Sequence, residues 1–273
     1  MPEGDTIFRA ARTLHRALAG KAIVRFESAF PALNRIDHDH PLAGRTVESV
    51  SSRGKHLLMA LSGDLVLRTH MRMNGSWHIY RPGERWRRPE RDMRVLVAAA
   101  DIIAVGFNIP VAEFLSRADL ARHAQLARLG PDLAAEDFDR EEALRRLRAL
   151  AGAPIADALL DQRAVAGIGN VLKSEVLFVS GVDPFAAVRQ LSDETMARIV
   201  DEGRRLMKMN VLERTATLSA AVGRRTTGSL NPFEKLWVYG RGGRPCRKCG
   251  TPIQSRHTGT DARLTYWCPT CQK

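Results

Sequence analysis

Two features of the chain carry residues that could do chemistry: a proline at position 2 and four cysteines near the C-terminus. If Met1 is removed, which a small second residue permits, the ring nitrogen of Pro2 becomes a secondary amine at the chain terminus. An N-terminal amine titrates near pH ~8, against ~10.4 for a lysine, so a useful fraction is unprotonated at neutrality. With an aldehyde, such an amine forms a cationic iminium. Pro2 is therefore a candidate nucleophile, although many ordinary proteins also begin Met-Pro.

The cysteines form two C-x-x-C pairs separated by 18 residues. This spacing is typical of a four-cysteine zinc site, and the sequence between the pairs can form a β-hairpin. Because four protein ligands leave no open coordination position, we expect one structural zinc ion, held by Cys246, Cys249, Cys268 and Cys271. A redox dithiol pair is the alternative. His257 is predicted to be a loop residue rather than a fifth ligand.

The elements that position Pro2 can be read from hydrophobic spacing. Apolar residues recur at helical intervals from Ile7 to Leu18, which predicts an amphipathic helix that Asp5 or Thr6 would cap. Pro2 would then lie just before a helix N-terminus.

Short Val, Ile and Leu runs follow, separated by Gly, Pro, Asp and Arg clusters, and predict an antiparallel β-sandwich. These runs are 46–50, 56–61, 64–70 and 94–105.

Beyond residue 130 the segments have helical spacing and length. These segments are 139–151, 154–161, 169–180 and 192–210. The sequence therefore predicts an α+β protein with three parts: a β-sandwich domain flanked by helices over 1–125, a helical domain over 131–225 and a zinc finger over 237–273.

The charge balance points to a polyanionic partner. The formal net charge is +12, and the hydrophobic share of 44% is that of a globular protein. The finger segment 241–273 holds seven Lys and Arg against one Asp. The N-terminal segment is interrupted by charges, unlike a secretory signal, and no apolar run is long enough to span a membrane. We expect a soluble, monomeric, cytoplasmic protein.

A further candidate site lies at the start of the third helical segment. Gly167 and Gly169 permit a tight turn, and Asn170 opens an apolar helix. Backbone N–H groups at such a helix start can bind a phosphate, and Lys173 would add positive charge nearby.

The chain as a whole resembles the formamidopyrimidine-DNA glycosylase and endonuclease VIII family of base-excision repair enzymes. The segments that carry the resemblance are MPEG at 1–4, SRGKHL at 52–57, HMRMNGSW at 70–77, LLDQRAVAGIGN at 159–170 and LTYWCPTCQ at 264–272. The family fold includes a helix-two-turns-helix element followed by a four-cysteine finger.

The resemblance implies roles for the matching positions. Pro2 would be the nucleophile and Glu3 the general acid or base. Lys55 would bind a phosphate that flanks the lesion, although an exposed loop lysine would look the same. Asn170 and Arg263 would hold phosphates around the flipped nucleotide, whereas without the resemblance Arg263 is simply a solvated arginine.

The resemblance also implies how the duplex is braced when the damaged base is extruded. Met73 matches the intercalating position, and a buried strand methionine is the alternative. Formamidopyrimidine glycosylases carry a D-P-R-R-F-G loop, which here is replaced by 104–110, AVGFNIP. Gly4, Asp5 and Leu172 also depart from the purine-lesion enzymes. These departures resemble endonuclease VIII, which is associated with oxidised pyrimidines.

The predicted function is a bifunctional glycosylase and abasic-site lyase that acts on duplex DNA, favours oxidised pyrimidines and cuts by β,δ-elimination at the nucleoid. Three alternatives stay open: a noncatalytic module that binds damaged DNA, a purine-lesion glycosylase of the same family, and a zinc-ribbon RNA-binding or transcription factor. The Arg-rich stretch from Arg81 to Arg94 is either a DNA-facing loop or a solvated hairpin.

Overall fold

The structure is a computed structural model that describes residues 2–211, 223–229, 231, 233–259 and 262–273. The chain divides into two compact units, Met1–Arg128 and Leu129–Lys273. Within the described residues, no helix combines the length and the apolar content that crossing a membrane requires.

Unit 1 is a β-sandwich with helices. Its elements are α1 (Gly4–Leu18), β1 (Arg25–Ser28), α2 (Pro31–Asp39), β2 (Val47–Arg53), β3 (His56–Leu61), β4 (Leu65–His70), β5 (Ser76–Tyr80), β6 (Met93–Ala98), β7 (Ile103–Phe107), β8 (Val111–Leu115), α3 (Arg117–Arg122) and α4 (Ala124–Ala127).

Two four-stranded sheets form the sandwich, with strand orders β1-β6-β7-β5 and β2-β3-β4-β8. Neighbouring strands are antiparallel. Alternation along β3 sends Leu57, Met59 and Leu61 into a core shared with α1 and with β6. The predicted α+β sandwich is thus confirmed. The run 94–105 forms two strands rather than one, because the chain turns where the N–H of Ala99 donates to the carbonyl of Ile102 at 2.8 Å.

The first helix starts two residues earlier than even the nearer of its predicted caps, Asp5, allows. The N-cap is Glu3, whose backbone is extended (φ −125°, ψ −177°) and whose side chain makes no capping hydrogen bond. Its carbonyl accepts from the N–H groups of Thr6 and Ile7 at 2.9 and 3.0 Å. Asp5 instead lies inside the helix and accepts from the N–H of Thr6 at 2.7 Å. The prediction of Asp5 or Thr6 as cap is therefore wrong.

Unit 2 contains a helical part and a β-hairpin. Its elements are α5 (Arg140–Arg148), α6 (Ile155–Ala158), α7 (Asn170–Val179), α8 (Asp193–Val211), β9 (Gln254–Thr258) and β10 (Arg263–Trp267). Residues 170–178 are all buried, so α7 is the central helix of this unit. β10 of the hairpin packs on α7. Residues 212–222, which belong to the predicted helical domain, lie outside the described residues.

Candidate active site and nucleic-acid interface

Glu3 and Pro2 combine a buried carboxyl with a partly accessible terminus. Glu3 has no exposed surface, whereas Pro2 is half-buried. The Glu3 side chain does not cap α1. If Met1 is removed, this carboxyl group lies next to a free ring nitrogen and is placed to exchange protons with whatever binds there.

The direction of α1 shows which end of the sandwich these residues occupy. The N–H of Gly20 donates to the carbonyl of Val47 at 2.8 Å, and the N–H of Val50 donates to Nδ1 of His15 at 3.1 Å. α1 therefore runs opposite to β2. The helix covers ~18 Å from His15 back to Glu3. Along β2 the same distance corresponds to about five residues counted onward from Val50. Glu3 thus lies level with the turn that follows β2.

That turn carries Lys55. Arg53 pairs with His56, so Gly54 and Lys55 form a two-residue hairpin turn, and Gly54 has the positive φ of +60° that such turns need. Lys55 is half-buried, and its charge helps to lower the pKa of His70.

The loop after β4 reaches the same end of the unit, because His56 at the start of β3 pairs with His70 at the end of β4. Met73 stands at the tip of this loop with 60% of its surface exposed. The alternative of a buried strand methionine is therefore wrong, and it is Met71 that is buried. We call this end of unit 1, with residues 2–3, 54–56 and 70–75, the Pro2 end.

Local constraints hold the Met73 loop in shape. Arg72 has a left-handed backbone with φ +46°, and its N–H donates to Nδ1 of His70 at 3.1 Å. The N–H of Gly75 donates to the carbonyl of Met71 at 2.9 Å. A Cβ on Gly75 would lie 2.5 Å from that carbonyl oxygen, so this position needs glycine.

A histidine pair, with His56 buried and His70 half-buried, joins the Lys55 turn to the Met73 loop. Its position between two motifs was the only signal for it in the sequence. The rings of His56 and His70 meet edge to face at 4.8 Å. The pKa of His56 is lowered to about 3, mainly by burial and next by the neighbouring His70. The pKa of His70 is lowered to about 4, mainly by burial and next by the charges of Arg72 and Lys55. Both rings are thus neutral at neutral pH, which leaves the Nδ1 lone pair of His70 for the N–H of Arg72.

In unit 2 the structure places Asn170 against the strand that begins with Arg263. Asn170 begins α7, and its Nδ2 donates to the carbonyl of Leu264 at 3.0 Å. Leu264 follows Arg263, the first residue of β10, which is half-buried. The finger strand and the helix start therefore lie side by side in this unit.

Lys173 has a different place from the one predicted. The side chain has no exposed surface, and its ammonium donates to Oδ1 of Asn170 and to Oγ1 of Thr265, both at 2.7 Å. A side chain buried in this way does not reach a phosphate. The expectation that Lys173 contacts DNA is corrected accordingly: it braces Asn170 against the finger.

Glu175 is a second buried charged group of α7, and a signal for it was present, since a carboxylate stood in a helix whose other residues are mostly apolar. It has no exposed surface and accepts from the N–H groups of Trp237, Val238 and Tyr239 at 2.8–2.9 Å, and also from the hydroxyl of Thr226. Burial raises the pKa of Glu175, and these donors oppose that rise. The carboxylate thereby anchors the chain that leads into the finger.

The four cysteines form a cluster of the right size for a tetrahedral metal. Their sulfur atoms all lie within 4.8 Å of one another, with Cys246 to Cys271 at 3.9 Å and Cys249 to Cys268 at 3.5 Å. A zinc ion with sulfurs at ~2.3 Å requires sulfur separations of ~3.8 Å. The N–H of Lys248 also donates to Sγ of Cys246 at 3.4 Å. The set fits a tetrahedral metal ion, and β9 and β10 form the predicted hairpin between the two pairs.

Comparison with known proteins identifies the family. The N-terminal domain of formamidopyrimidine-DNA glycosylase matches residues 1–108, and the H2TH domain of the same enzyme matches residues 129–221. The chain belongs to this family of DNA glycosylases.

Relatives within the glycosylase family match along the full chain. A probable endonuclease 8 2 of Streptomyces coelicolor is 44% identical, with 100% of this chain and 94% of the relative covered. The DNA-(apurinic or apyrimidinic site) lyase Nei2 of Mycolicibacterium smegmatis is 39% identical over 100% and 99%, and endonuclease 8 of Escherichia coli is 31% identical over 100% of both chains. Lactococcus lactis Fpg, solved with DNA that contains an abasic site, superposes with a TM-score of 0.81 at 25% identity over 100% of both chains.

Residues 104–110, which replace the D-P-R-R-F-G loop of formamidopyrimidine glycosylases, do not form an exposed wedge. Residues 104–107 belong to β7, and Asn108 turns the chain with φ +50°. Phe107 and Ile109 have no exposed surface. Phe107 packs edge-on against Tyr80 and Trp86 instead of extending toward solvent. This connection therefore carries no exposed aromatic side chain that could enter a duplex.

Proposed function

We propose that the protein is a bifunctional DNA glycosylase and abasic-site lyase in which Pro2 is the nucleophile. The observation that carries the proposal is the Pro2 end itself, where the terminal proline and the buried Glu3 carboxyl lie level with the Lys55 turn and the exposed Met73. The relatives named endonuclease 8 and abasic-site lyase support it. With duplex DNA as partner, its place of action is the nucleoid in the cytoplasm.

The reaction follows from this geometry. The lone pair of the Pro2 nitrogen attacks C1′ of the flipped nucleotide, the bond from C1′ to the base breaks, and Glu3 delivers a proton to the departing side. The amine proton then passes to the ring oxygen as the bond from that oxygen to C1′ breaks, which gives an iminium between Pro2 and the opened sugar. This cation acidifies the adjacent C–H, so β-elimination and then δ-elimination expel the two flanking phosphates. The chemistry requires that Met1 be removed.

The remaining site residues hold the substrate. Lys55 binds a phosphate next to the lesion, Met73 fills the space that the extruded base leaves, and Asn170 and Arg263 bind phosphates from unit 2. Cys246, Cys249, Cys268 and Cys271 hold one structural zinc ion, which keeps β9 and β10 in place for Arg263. The fit of the sulfur separations to a tetrahedral ion supports this assignment.

The preference for oxidised pyrimidines is the finer part of the proposal. The buried Phe107 and Ile109 support it, because they leave the 104–110 connection without the wedge of the purine-lesion enzymes. Excision of thymine glycol and of 8-oxoguanine from otherwise identical duplexes tests the preference. Faster excision of 8-oxoguanine would favour the purine-lesion alternative.

Borohydride trapping on abasic duplex DNA tests the chemistry. Wild-type protein should form a covalent complex, Pro2→Gly should bind the DNA and trap far less, and intact mass should lack Met1. Glu3→Gln should still trap on a preformed abasic site, because the base has already left, yet should lose excision of an oxidised base. Wild-type protein that binds abasic DNA without trapping would refute the proposal and favour a noncatalytic binding module.

A further inference from the structure

A strap of residues 81–92 crosses one sheet of unit 1 and has no part in the proposed chemistry. Tyr80, where the strap leaves β5, pairs with Ile103 at one end of β7, whereas Met93, where it joins β6, pairs with Phe107 at the other end. The strap therefore spans the length of the sheet, about 13 Å for four strand steps. Its second end lies at the Pro2 end, because Ser76 also pairs with Phe107.

The strap is fixed to the sheet at several points. The Trp86 ring packs on Tyr80 and Phe107, with centroid distances of 6.3 and 5.7 Å. The N–H of Arg87 donates to the Tyr80 hydroxyl at 3.1 Å, and the carbonyl of Asp92 accepts from the N–H of Asn108 at 2.8 Å. Side chains on the strap are thus presented by a backbone with little freedom, which reduces the entropy lost on binding.

The strap is strongly basic, and its charges are not neutralised internally. It holds five arginines, and Arg94 just after it makes six, against Glu84, Glu90 and Asp92 over 81–94. Arg81, Arg85, Arg87 and Arg91 are exposed. None of these six arginines forms an ion pair in the part of the chain that the structure describes.

Some arginines elsewhere on the surface do have a carboxylate partner. Arg122 pairs with Asp119, Arg145 with Glu142 and Arg205 with Glu202, at 2.6–3.1 Å. The strap and Arg94 instead place six arginines without an ion-paired carboxylate, among the described residues, along one fixed segment. This concentration of positive charge indicates an anionic ligand from outside.

The chemistry of the strap selects the kind of anion. Guanidinium groups bind phosphate oxygens in a bidentate manner, and a row of them suits a repeating phosphate backbone. Single-stranded nucleic acid is usually held by aromatic rings on which bases stack. Trp86 faces the sheet and is not presented for stacking, so the strap fits the backbone of a duplex.

We propose that the strap is a second DNA-binding surface, which binds phosphates of undamaged duplex beyond those held at the Pro2 end. This proposal rests on duplex DNA being the partner, as in the proposed function, but not on the glycosylase and lyase chemistry. The contacts are sequence-independent, so they retain the protein on DNA between lesions.

The test compares two triple variants that change the net charge equally. R85Q/R87Q/R91Q removes unpaired strap arginines, and R122Q/R145Q/R205Q removes paired ones. The dissociation constant for undamaged duplex is measured between roughly 50 and 200 mM salt. Each lost phosphate contact lowers the magnitude of the slope of log affinity against log salt by ~0.9. The magnitude of this slope should therefore fall by about 2 to 3 in the strap variant and by less than ~1 in the control.

Thermal unfolding checks that both variants are folded, and the single variants R85Q and R91Q should each lose ~0.9 in slope even if the triple variant is unstable. Equal slopes for wild type and strap variants, or equal losses in strap and control variants, would overturn the proposal. Tight strap-dependent binding to anionic phospholipid vesicles with an unchanged DNA slope would also overturn it. Wild-type protein that binds undamaged duplex but fails to trap abasic DNA refutes only the proposed chemistry.

Discussion

The ammonium of Lys173 donates to Oδ1 of Asn170 at 2.7 Å from a position with no exposed surface. The same ammonium bonds to Thr265 of the finger hairpin, so one buried cation links the start of α7 to β10. A group proposed to hold a phosphate is thus aligned by a neighbour that does not itself reach the ligand.

Lys173→Met should therefore act through Asn170. The variant lacks the ammonium, so the buried oxygen atoms of Asn170 and Thr265 each lose the hydrogen bond that Lys173 donates. This loss should lower the free energy of unfolding by about 1–3 kcal/mol. The affinity for abasic duplex should fall ~10-fold, equivalent to ~1.4 kcal/mol. In a double-mutant cycle with Asn170→Ala, the binding losses should be clearly less than additive.

The control for this cycle is Lys208→Met, which removes an exposed lysine of α8. It should change neither stability nor lesion binding by a comparable amount. Additive losses for Lys173→Met and Asn170→Ala would show that the two residues act independently.

Glu175→Gln should destabilise unit 2. The carboxylate accepts from three backbone N–H groups, and an amide nitrogen in place of Oε2 would face the N–H of Trp237 without a lone pair. Leaving that buried donor unpaired costs about 1–3 kcal/mol, which urea unfolding can measure. Glu141→Gln, on an exposed side chain of α5, is the matched control. If both variants unfold alike, Glu175 does not anchor the chain as described.

The sequence predicted most of what depends on pattern. Periodicity was enough for the sandwich, the helices near 170–179 and 193–211 and the finger hairpin, because burial of one face imposes period two or 3.6. The cysteine spacing predicted the metal cluster because its geometry is local. Such local signals determine which residues can meet within one motif.

The sequence failed where long-range burial decides the outcome. A lysine in the sequence does not reveal whether its side chain is exposed or buried. For Lys173, only the contact with Thr265, 92 positions away, shows that it is buried. The His56–His70 pair likewise depends on the register between β3 and β4. The helix cap at Glu3 was missed because Ser, Thr, Asp and Asn are the usual cap residues, and this cap uses the backbone alone.

Gly75→Ala should disturb the Met73 loop. The new Cβ would lie 2.5 Å from the carbonyl oxygen and 2.8 Å from the Cα of Met71, so backbone atoms must shift. We expect a stability loss of about 1–3 kcal/mol and slower excision of an oxidised base. Trapping on preformed abasic DNA should be affected less, because base extrusion is complete there.

Gly228→Ala provides the comparison, since a Cβ at Gly228 meets nothing within 4 Å. It should leave excision unchanged. Were Gly75→Ala to excise and trap at wild-type rates, the loop would tolerate a shape other than the one described.

The histidine pair should make the protein acid-sensitive. Because the pKa of His56 is lowered to about 3 and that of His70 to about 4, the unfolded chain takes up protons below about pH 6.5 while the folded chain does not. The stability is fully present above that value and declines as pH falls toward 4, by up to ~1.4 kcal/mol per pH unit for each histidine.

His56→Leu should reduce this acid dependence by one histidine's share. Nδ1 of His56 is buried and has no hydrogen-bond partner among the described residues, so its loss should cost little stability near neutral pH. His38→Gln is the control, because the side chain of His38 is 88% exposed. Urea unfolding from pH 7.5 to 4.5 measures both variants. An unchanged pH slope in His56→Leu would show that this histidine is protonated in the folded protein.

Metal removal should weaken DNA binding through the contacts that the finger makes. Without an ion, four clustered cysteines no longer fix the ends of β9 and β10, since structural zinc is coupled to local folding. The finger partners of Asn170 and Lys173, Leu264 and Thr265, then lose their fixed positions. The affinity for abasic duplex should fall at least ~10-fold after chelation, and added zinc should restore it. If protein shown by elemental analysis to be metal-free bound the duplex with unchanged affinity, the finger would not contribute to DNA binding.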